Sequence, residues 1–255
     1  MTHTTRTFKM NNVDSKQIDV TVNFFSLNNF EDIQSEIDLQ LVDIFHGDPD
    51  YPIEVVKKEI KKLIKDKTDE LSHGIIAEFF LHILLRRLGF TQQCLFKNLE
   101  EDSLKKAFDG FYKDSDDFWI VESKSAYKPP CTHREKVREA LYDINDKLSD
   151  PENNNPWDNA VNHMKVLSNG KKDESLIKRV KKLSFDYSAN ITHSIAEFNV
   201  IPASTLFITN FQNEDEITSE LKETISKKKI KNIVVICIDN SLYKSFKDYF
   251  EIEEK

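Results

Sequence analysis

The run Phe118-Trp119-Ile120-Val121 leads without a break into Glu122-Ser123-Lys124. A short apolar run bounded by turn residues reads as a buried strand. Leu206-Phe207-Ile208 and Ile233-Val234-Val235-Ile236-Cys237-Ile238 have the same character. Continuous apolar strands of this kind belong to a sheet covered on both faces. The chain is therefore expected to be α/β, with a mixed central sheet flanked by helices.

The remaining segments fill in that frame. Ile18, Val20, Val22 and Phe24 alternate, as in a half-buried strand. Residues 1–12 are polar and read as loose. Phe30, Ile33, Ile37, Leu41 and Ile44 follow helical spacing, and a second helix carries Val55, Val56, Ile60, Leu63 and Ile64. Its other face is lysine-rich, which suits solvent, a partner or nucleic acid. From Gly74 to Leu85 the chain is apolar nearly all round, so a core helix is expected, capped by Ser72 and stopped by Gly89. Residues 91–97, 104–112 and 117–125 read as strands, and a charged helix runs from Thr132 to about Leu148. A helix from Trp157 to Leu167 and a basic stretch, Lys171 to Lys182, follow. Helices are expected at 213–227 and 241–250. From residue 72 the order is α-β-β-β-α-(α)-β-α-β-α. The chain divides on this reading into an N-terminal α+β extension, 1–70, and a core, 71–255.

Chemistry concentrates in the hairpin Phe108-Asp109-Gly110-Phe111-Tyr112 … Phe118 to Ser125. Residues two apart in a strand share a face, so Glu122 and Lys124 point together, and Asp109 can join them from the neighbouring strand. Two carboxylates suit Mg²⁺, or Mn²⁺, which activates water and offsets phosphate charge. The Ser123 carbonyl is a further candidate ligand. The lysine ammonium can orient that water or stabilise developing negative charge. Glu-x-Lys alone carries no information in a chain that is 31% charged. Here it ends an apolar strand, and Gly110 beside Asp109 permits close backbone approach. Glu78, the acid within the apolar helix, must be paired or metal-bound if buried. It is a further site candidate, with a salt bridge as the alternative.

Helix-Glu78, strand, strand-Asp109, strand-Glu122-Ser123-Lys124 resembles the PD-(D/E)xK nuclease superfamily over about residues 72–125. The resemblance implies a restriction-endonuclease-like core in which Glu78, Asp109, Glu122 and Lys124 are catalytic. Phe108 stands where the name-giving proline would be, and no Gln-x-x-x-Tyr follows on the next helix. "FDGFY…FWIVESKSAY" preceded by "HGIIAEFFLHILL" is most similar to the HamA-type nuclease subunits of the Hachiman anti-phage system. That implies a bacterial DNA endonuclease restrained by a helicase partner, with residues 1–70 as a docking region. The alternatives are a stand-alone type II restriction endonuclease and a non-catalytic assembly subunit with a nuclease-like fold.

Composition narrows the choice. A net charge of −8 counts against gripping nucleic acid by bulk electrostatics, which favours a nuclease that leans on a partner. Five glycines and no phosphate-loop motif exclude a P-loop NTPase. Three widely spaced cysteines show no zinc spacing. Their odd number and the absence of a secretory leader point to the cytoplasm. No apolar run reaches membrane-spanning length, so no membrane association is expected. Arg134, Lys136 and Arg138, following the acidic site, are candidate phosphate contacts, and His133 a candidate substrate contact.

Overall fold

The structure, a computed structural model, describes residues 1–48, 50–97, 108–115, 117–149, 155–167, 173–208 and 213–253. The strands are β1 (Thr2–Asn11), β2 (Gln17–Leu27), β3 (Thr91–Gln92), β4 (Gly110–Asp114), β5 (Asp117–Ala126), β6 (Asn199–Leu206) and β7 (Asn232–Asn240). The helices are α1 (Glu31–Phe45), α2 (Ile53–Lys65), α3 (Asp69–Arg87), α4 (His133–Ser149), α5 (Pro156–Val166), α6 (Glu174–Ser188), α7 (Glu214–Ser226) and α8 (Tyr243–Tyr249).

The strands form one seven-stranded mixed sheet in the order β1-β2-β7-β6-β5-β4-β3. Its centre is parallel, β2 to β7, β7 to β6 and β6 to β5. Its edges are antiparallel, β1 on β2 and β3-β4 on β5. Helices cover both faces. One core packs α4, α5, α6 and α7 on Val20, Val22, Ile120, Val200 and Val235. The other packs α1, α2, α3 and α8 on Phe25, Leu27, Val121, Ile201, Ile236 and Ile238. Residues 1–70 enter this architecture directly, because β2 pairs with β7 from Val20 to Leu27 and α1 shares the second core with α3.

The structure differs from several sequence expectations. Residues 1–12 are not loose: β1 pairs with β2 along its whole length, from Thr2↔Ser26 to Asn11↔Gln17. Most of its side chains are exposed, so hydropathy carries little signal; backbone pairing orders it, with Phe8 and Met10 packed against the core and His3 stacked on Phe25 at 4.2 Å. β2 is buried on both faces beyond Asn23, because α1 covers the side that alternation assigned to solvent. β6 begins at Asn199, well before Leu206. Pro202 and the small residues Ala203, Ser204 and Thr205 hide it from apolar patterning, yet all eight positions are buried. Of the strand expected at 91–97, Thr91–Gln92 pairs with β4. The chain then leaves the sheet, and the Phe96 N–H donates to the Ile44 carbonyl. Part of the strand expected at 104–112 lies outside the described residues, as do Lys171 and Lys172 of the basic stretch. The rest of that stretch forms α6, capped by Asp173, whose side chain accepts from the Leu176 N–H. The α3 cap is Thr68, not Ser72, which is buried inside the helix. Gly89, with φ +93°, ends α3 as the spacing predicts. Cys94 and Cys237 are buried. No helix among the described residues is long and apolar enough to cross a membrane.

Candidate active site

On β5, Glu122 and Lys124 share the face of Phe118 and Ile120, which looks into the core under α4. Gly110 on β4 pairs with Val121. One step back along β4 brings Asp109 beside Glu122 and Ser123, where Asp109 Oδ2 accepts from the Ser123 N–H at 2.8 Å. A Cβ at position 110 would lie 3.0 Å from the Tyr112 ring and 3.1 Å from Val121 Cβ. The glycine therefore lets the two strands close up where the acids meet.

Glu122 is 2% exposed. Its Oε1 accepts from Lys124 Nζ at 3.1 Å and its Oε2 from Lys147 Nζ at 2.6 Å. Lys124 also pairs with Asp143. Lys147 and Asp143 both stand on α4, one turn apart, so the helix completes a four-membered charge network over the strand. Burial pushes the Glu122 carboxyl up to about 7, the charge of Asp109 adds to the rise, and Lys147 and Lys124 oppose it. Burial also works against the Lys124 ammonium. The charge of Glu122, then Asp143 and Asp109, outweighs that and holds its proton above the ordinary lysine range.

The other candidates make contacts of their own. Glu78 stands on α3, whose apolar face packs on the opposite side of the sheet. Its Oε1 lies 3.5 Å from His82 Nε2, and its charge helps raise the buried Tyr112 phenol, burial being the larger cause. Tyr112 hydrogen-bonds His82 Nδ1. The apolar faces of α3 and α4 thus pack on opposite sides of the sheet. His133 is 1% exposed rather than open to a substrate. Its Nδ1 is 2.8 Å from Ser204 Oγ and its Nε2 donates to Asp239 Oδ1 at 3.0 Å. The Asp239 carboxylate accepts only, so Nε2 carries a proton. Arg134 faces Glu223 at 3.6 Å, and Lys136 donates to Glu139 at 2.7 Å.

Sequence reading missed Lys147 and Asp143. Their spacing of four beside the buried stripe Val137, Leu141, Ile144, Leu148 was the available signal. Among the described residues, no group of three or more His, Cys, Asp and Glu side chains is disposed to hold a metal ion. Mg²⁺, however, commonly takes one or two carboxylates and completes its shell with water and substrate phosphate. Asp109, Glu122 and the Ser123 carbonyl are hard oxygen donors of that kind. Burial is the main reason that Glu122 holds its proton, but the charge of Asp109 adds to the rise, and that part a cation between the two carboxylates would offset. The residues present therefore fit a hard divalent cation. A scan against known protein families finds no match, and a search of curated proteins returns no relative.

Proposed function

We propose that this chain is a Mg²⁺-dependent DNA endonuclease with a PD-(D/E)xK-type core. The observation that carries the reading is Asp109, just before β4, bound to the Ser123 N–H beside Glu122 on β5, with Lys124 Nζ 3.1 Å from Glu122 Oε1 on the same face. Asp109, Glu122 and the Ser123 carbonyl would hold Mg²⁺ or Mn²⁺. Bound there, the cation supplies a more acidic water and offsets charge on the phosphate. Lys124 is held from two sides by Glu122 and Asp143, so its ammonium is preorganised rather than free to wander. It keeps its proton and serves as a fixed positive charge for the attacked phosphate. Glu78 on α3 would bind the cation through water, take a second cation, or shape the field around Lys124.

The resemblance to HamA-type subunits extends this reading to the nuclease effector of an anti-phage complex with a helicase. Two features support a partner. The net charge of −8 leaves the chain short of DNA-binding potential of its own. β1, Thr2–Asn11, is the edge strand of the sheet and exposed over most of its length, as suits strand pairing. A second reading, a non-catalytic subunit of the same fold, is favoured by one observation: both Glu122 oxygens already accept from lysines.

Plasmid nicking with Mg²⁺, with and without a helicase partner, separates the two. Lys124→Ala should slow cleavage about 10²-fold or more, the scale of losing one preorganised stabiliser, while metal binding persists. A Lys124→Ala chain that nicks as fast as the parent refutes the assignment.

A further inference from the structure

Four aromatic rings from four separate elements meet at one end of the sheet. Tyr127 directly follows β5, Phe207 directly follows β6, and Tyr243 opens α8 just beyond β7. His73 comes from the first turns of α3. The His73 ring lies between the two tyrosines, 3.7 Å from Tyr243 at 2° and 4.2 Å from Tyr127 at 10°. Phe207 closes the side of the stack, its ring edge-on to His73 at 4.6 Å and 80°.

The stack is built rather than incidental. His73 Nδ1 donates to the Asp69 carbonyl at 2.7 Å, which fixes the ring plane. Burial, aided by the Lys247 charge, holds the His73 pKa below its ordinary value. The middle ring is thus a neutral aromatic surface at neutral pH. Phe207 N–H donates to the Ala126 carbonyl at 2.8 Å, so β5 and β6 carry their aromatic residues out together. Tyr127, Phe207 and Tyr243 remain partly exposed. Lysines surround them: Lys128 Nζ lies 4.9 Å from the Tyr127 ring centre and Lys247 Nζ 5.5 Å from that of Tyr243, while Lys244 is exposed beside Tyr243. The carboxyl ends of parallel strands are where open α/β sheets hold ligands; Lys124 lies near the same end of β5, three residues before Tyr127, with its side chain on the other face of the sheet.

We propose that the Tyr127–His73–Tyr243 stack is a platform for an unpaired nucleotide of the substrate strand. A base extends the stack on the outer face of Tyr127, opposite His73, where Lys128 now hangs. The displaced ammonium then meets the adjoining phosphate, as does Lys244. Aromatic faces flanked by cations are how single strands are held without sequence readout, and local lysines do this work despite the net negative charge. This inference takes its choice of nucleic acid as occupant from the cleavage reading.

The test is fluorescence anisotropy of a labelled twelve-nucleotide oligo-dT on the full chain in EDTA, beside a blunt duplex of the same length. The parent should bind the single strand more tightly than the duplex. Tyr127→Ala should weaken single-strand binding about tenfold or more, and Tyr127→Trp should retain it, because any large aromatic face serves. The proposal is overturned if the parent does not bind oligo-dT, if it favours the duplex, if Tyr127→Ala binds as the parent does, or if Tyr127→Trp loses binding as fully as Tyr127→Ala. Because EDTA removes cleavage, the two readings fail separately. Tyr127-dependent binding with Lys124→Ala nicking at parental rate would leave the platform and remove the catalytic assignment; the converse would leave catalysis and remove the platform.

Discussion

Lys147 on α4 donates to Glu122 Oε2 on β5 at 2.6 Å, and Glu122 is 2% exposed. A helix ammonium thus neutralises the most deeply buried acid of the site. Removing one partner of a buried charge costs more than the bond itself is worth, since the other is left less well solvated. Lys147→Ala should lower the stability of the metal-free chain by about 1–3 kcal/mol. Saturating Mg²⁺ should restore much of that, because the cation takes over the neutralisation. Urea unfolding with and without Mg²⁺ measures both; an unchanged midpoint for Lys147→Ala would show that the contact contributes nothing.

The Glu122 carboxyl titrates at about 7 in the folded chain against an ordinary 4.5. The folded state therefore binds this proton more tightly than the unfolded one. Stability from this group falls as pH rises between about 4.5 and about 7, by on the order of 3 kcal/mol in the metal-free chain. Glu122→Gln should flatten that part of the pH–stability curve. In the parent, proton and cation compete for the same oxygens, so Mg²⁺ affinity should fall about tenfold per pH unit below about 7. Calorimetric titrations at several pH values give the slope, and a pH-independent affinity would remove Glu122 as a ligand.

Gly110 on β4 faces Val121 on β5. With a Cβ placed 3.0 Å from the Tyr112 ring of the same strand and 3.1 Å from Val121 Cβ across the pair, Gly110→Ala crowds both neighbours, which must give by a few tenths of an ångström. The expected cost is about 1–3 kcal/mol. Asp109 shifts with its neighbour, so Mn²⁺ binding, read by electron paramagnetic resonance, should weaken alongside the melting temperature. A variant that melts lower yet binds Mn²⁺ as the parent does would separate Asp109 from the cation.

His133 bridges α4 to the sheet through Ser204 and Asp239. His133→Ala strands two buried polar groups, each costing about 1–3 kcal/mol. Because the contact lies at the far end of α4 from Lys147, metal affinity per folded molecule should stay near that of the parent. Chemical denaturation paired with Mn²⁺ titration distinguishes this anchoring role from participation in the site.

The chain alone determined the covered mixed sheet, through the unbroken apolar runs at 118–121 and 233–238. It also determined that Glu122 and Lys124 share a face, because a strand's side-chain period is two. Gly89 and the apolar circumference of α3 were equally local signals. Asp109 was reachable because a tight hairpin makes its partner a near neighbour in sequence. Other features came from tertiary structure. β1 is ordered by pairing with β2 that leaves most of its side chains in water, only Phe8 and Met10 reaching the core. β6 is buried by neighbours on both sides despite Pro202. Lys147 and Asp143 read as ordinary surface charges until packing sets the rotation of α4 over β5. Glu78 was legible as a misplaced acid, and His82, one turn along α3, lies 3.5 Å from it. The ring stack joins residues 73, 127, 207 and 243, separated by long stretches of chain. Local patterning records which way a side chain points within its own element; which charge or ring it meets is decided by how elements distant in sequence close over one another.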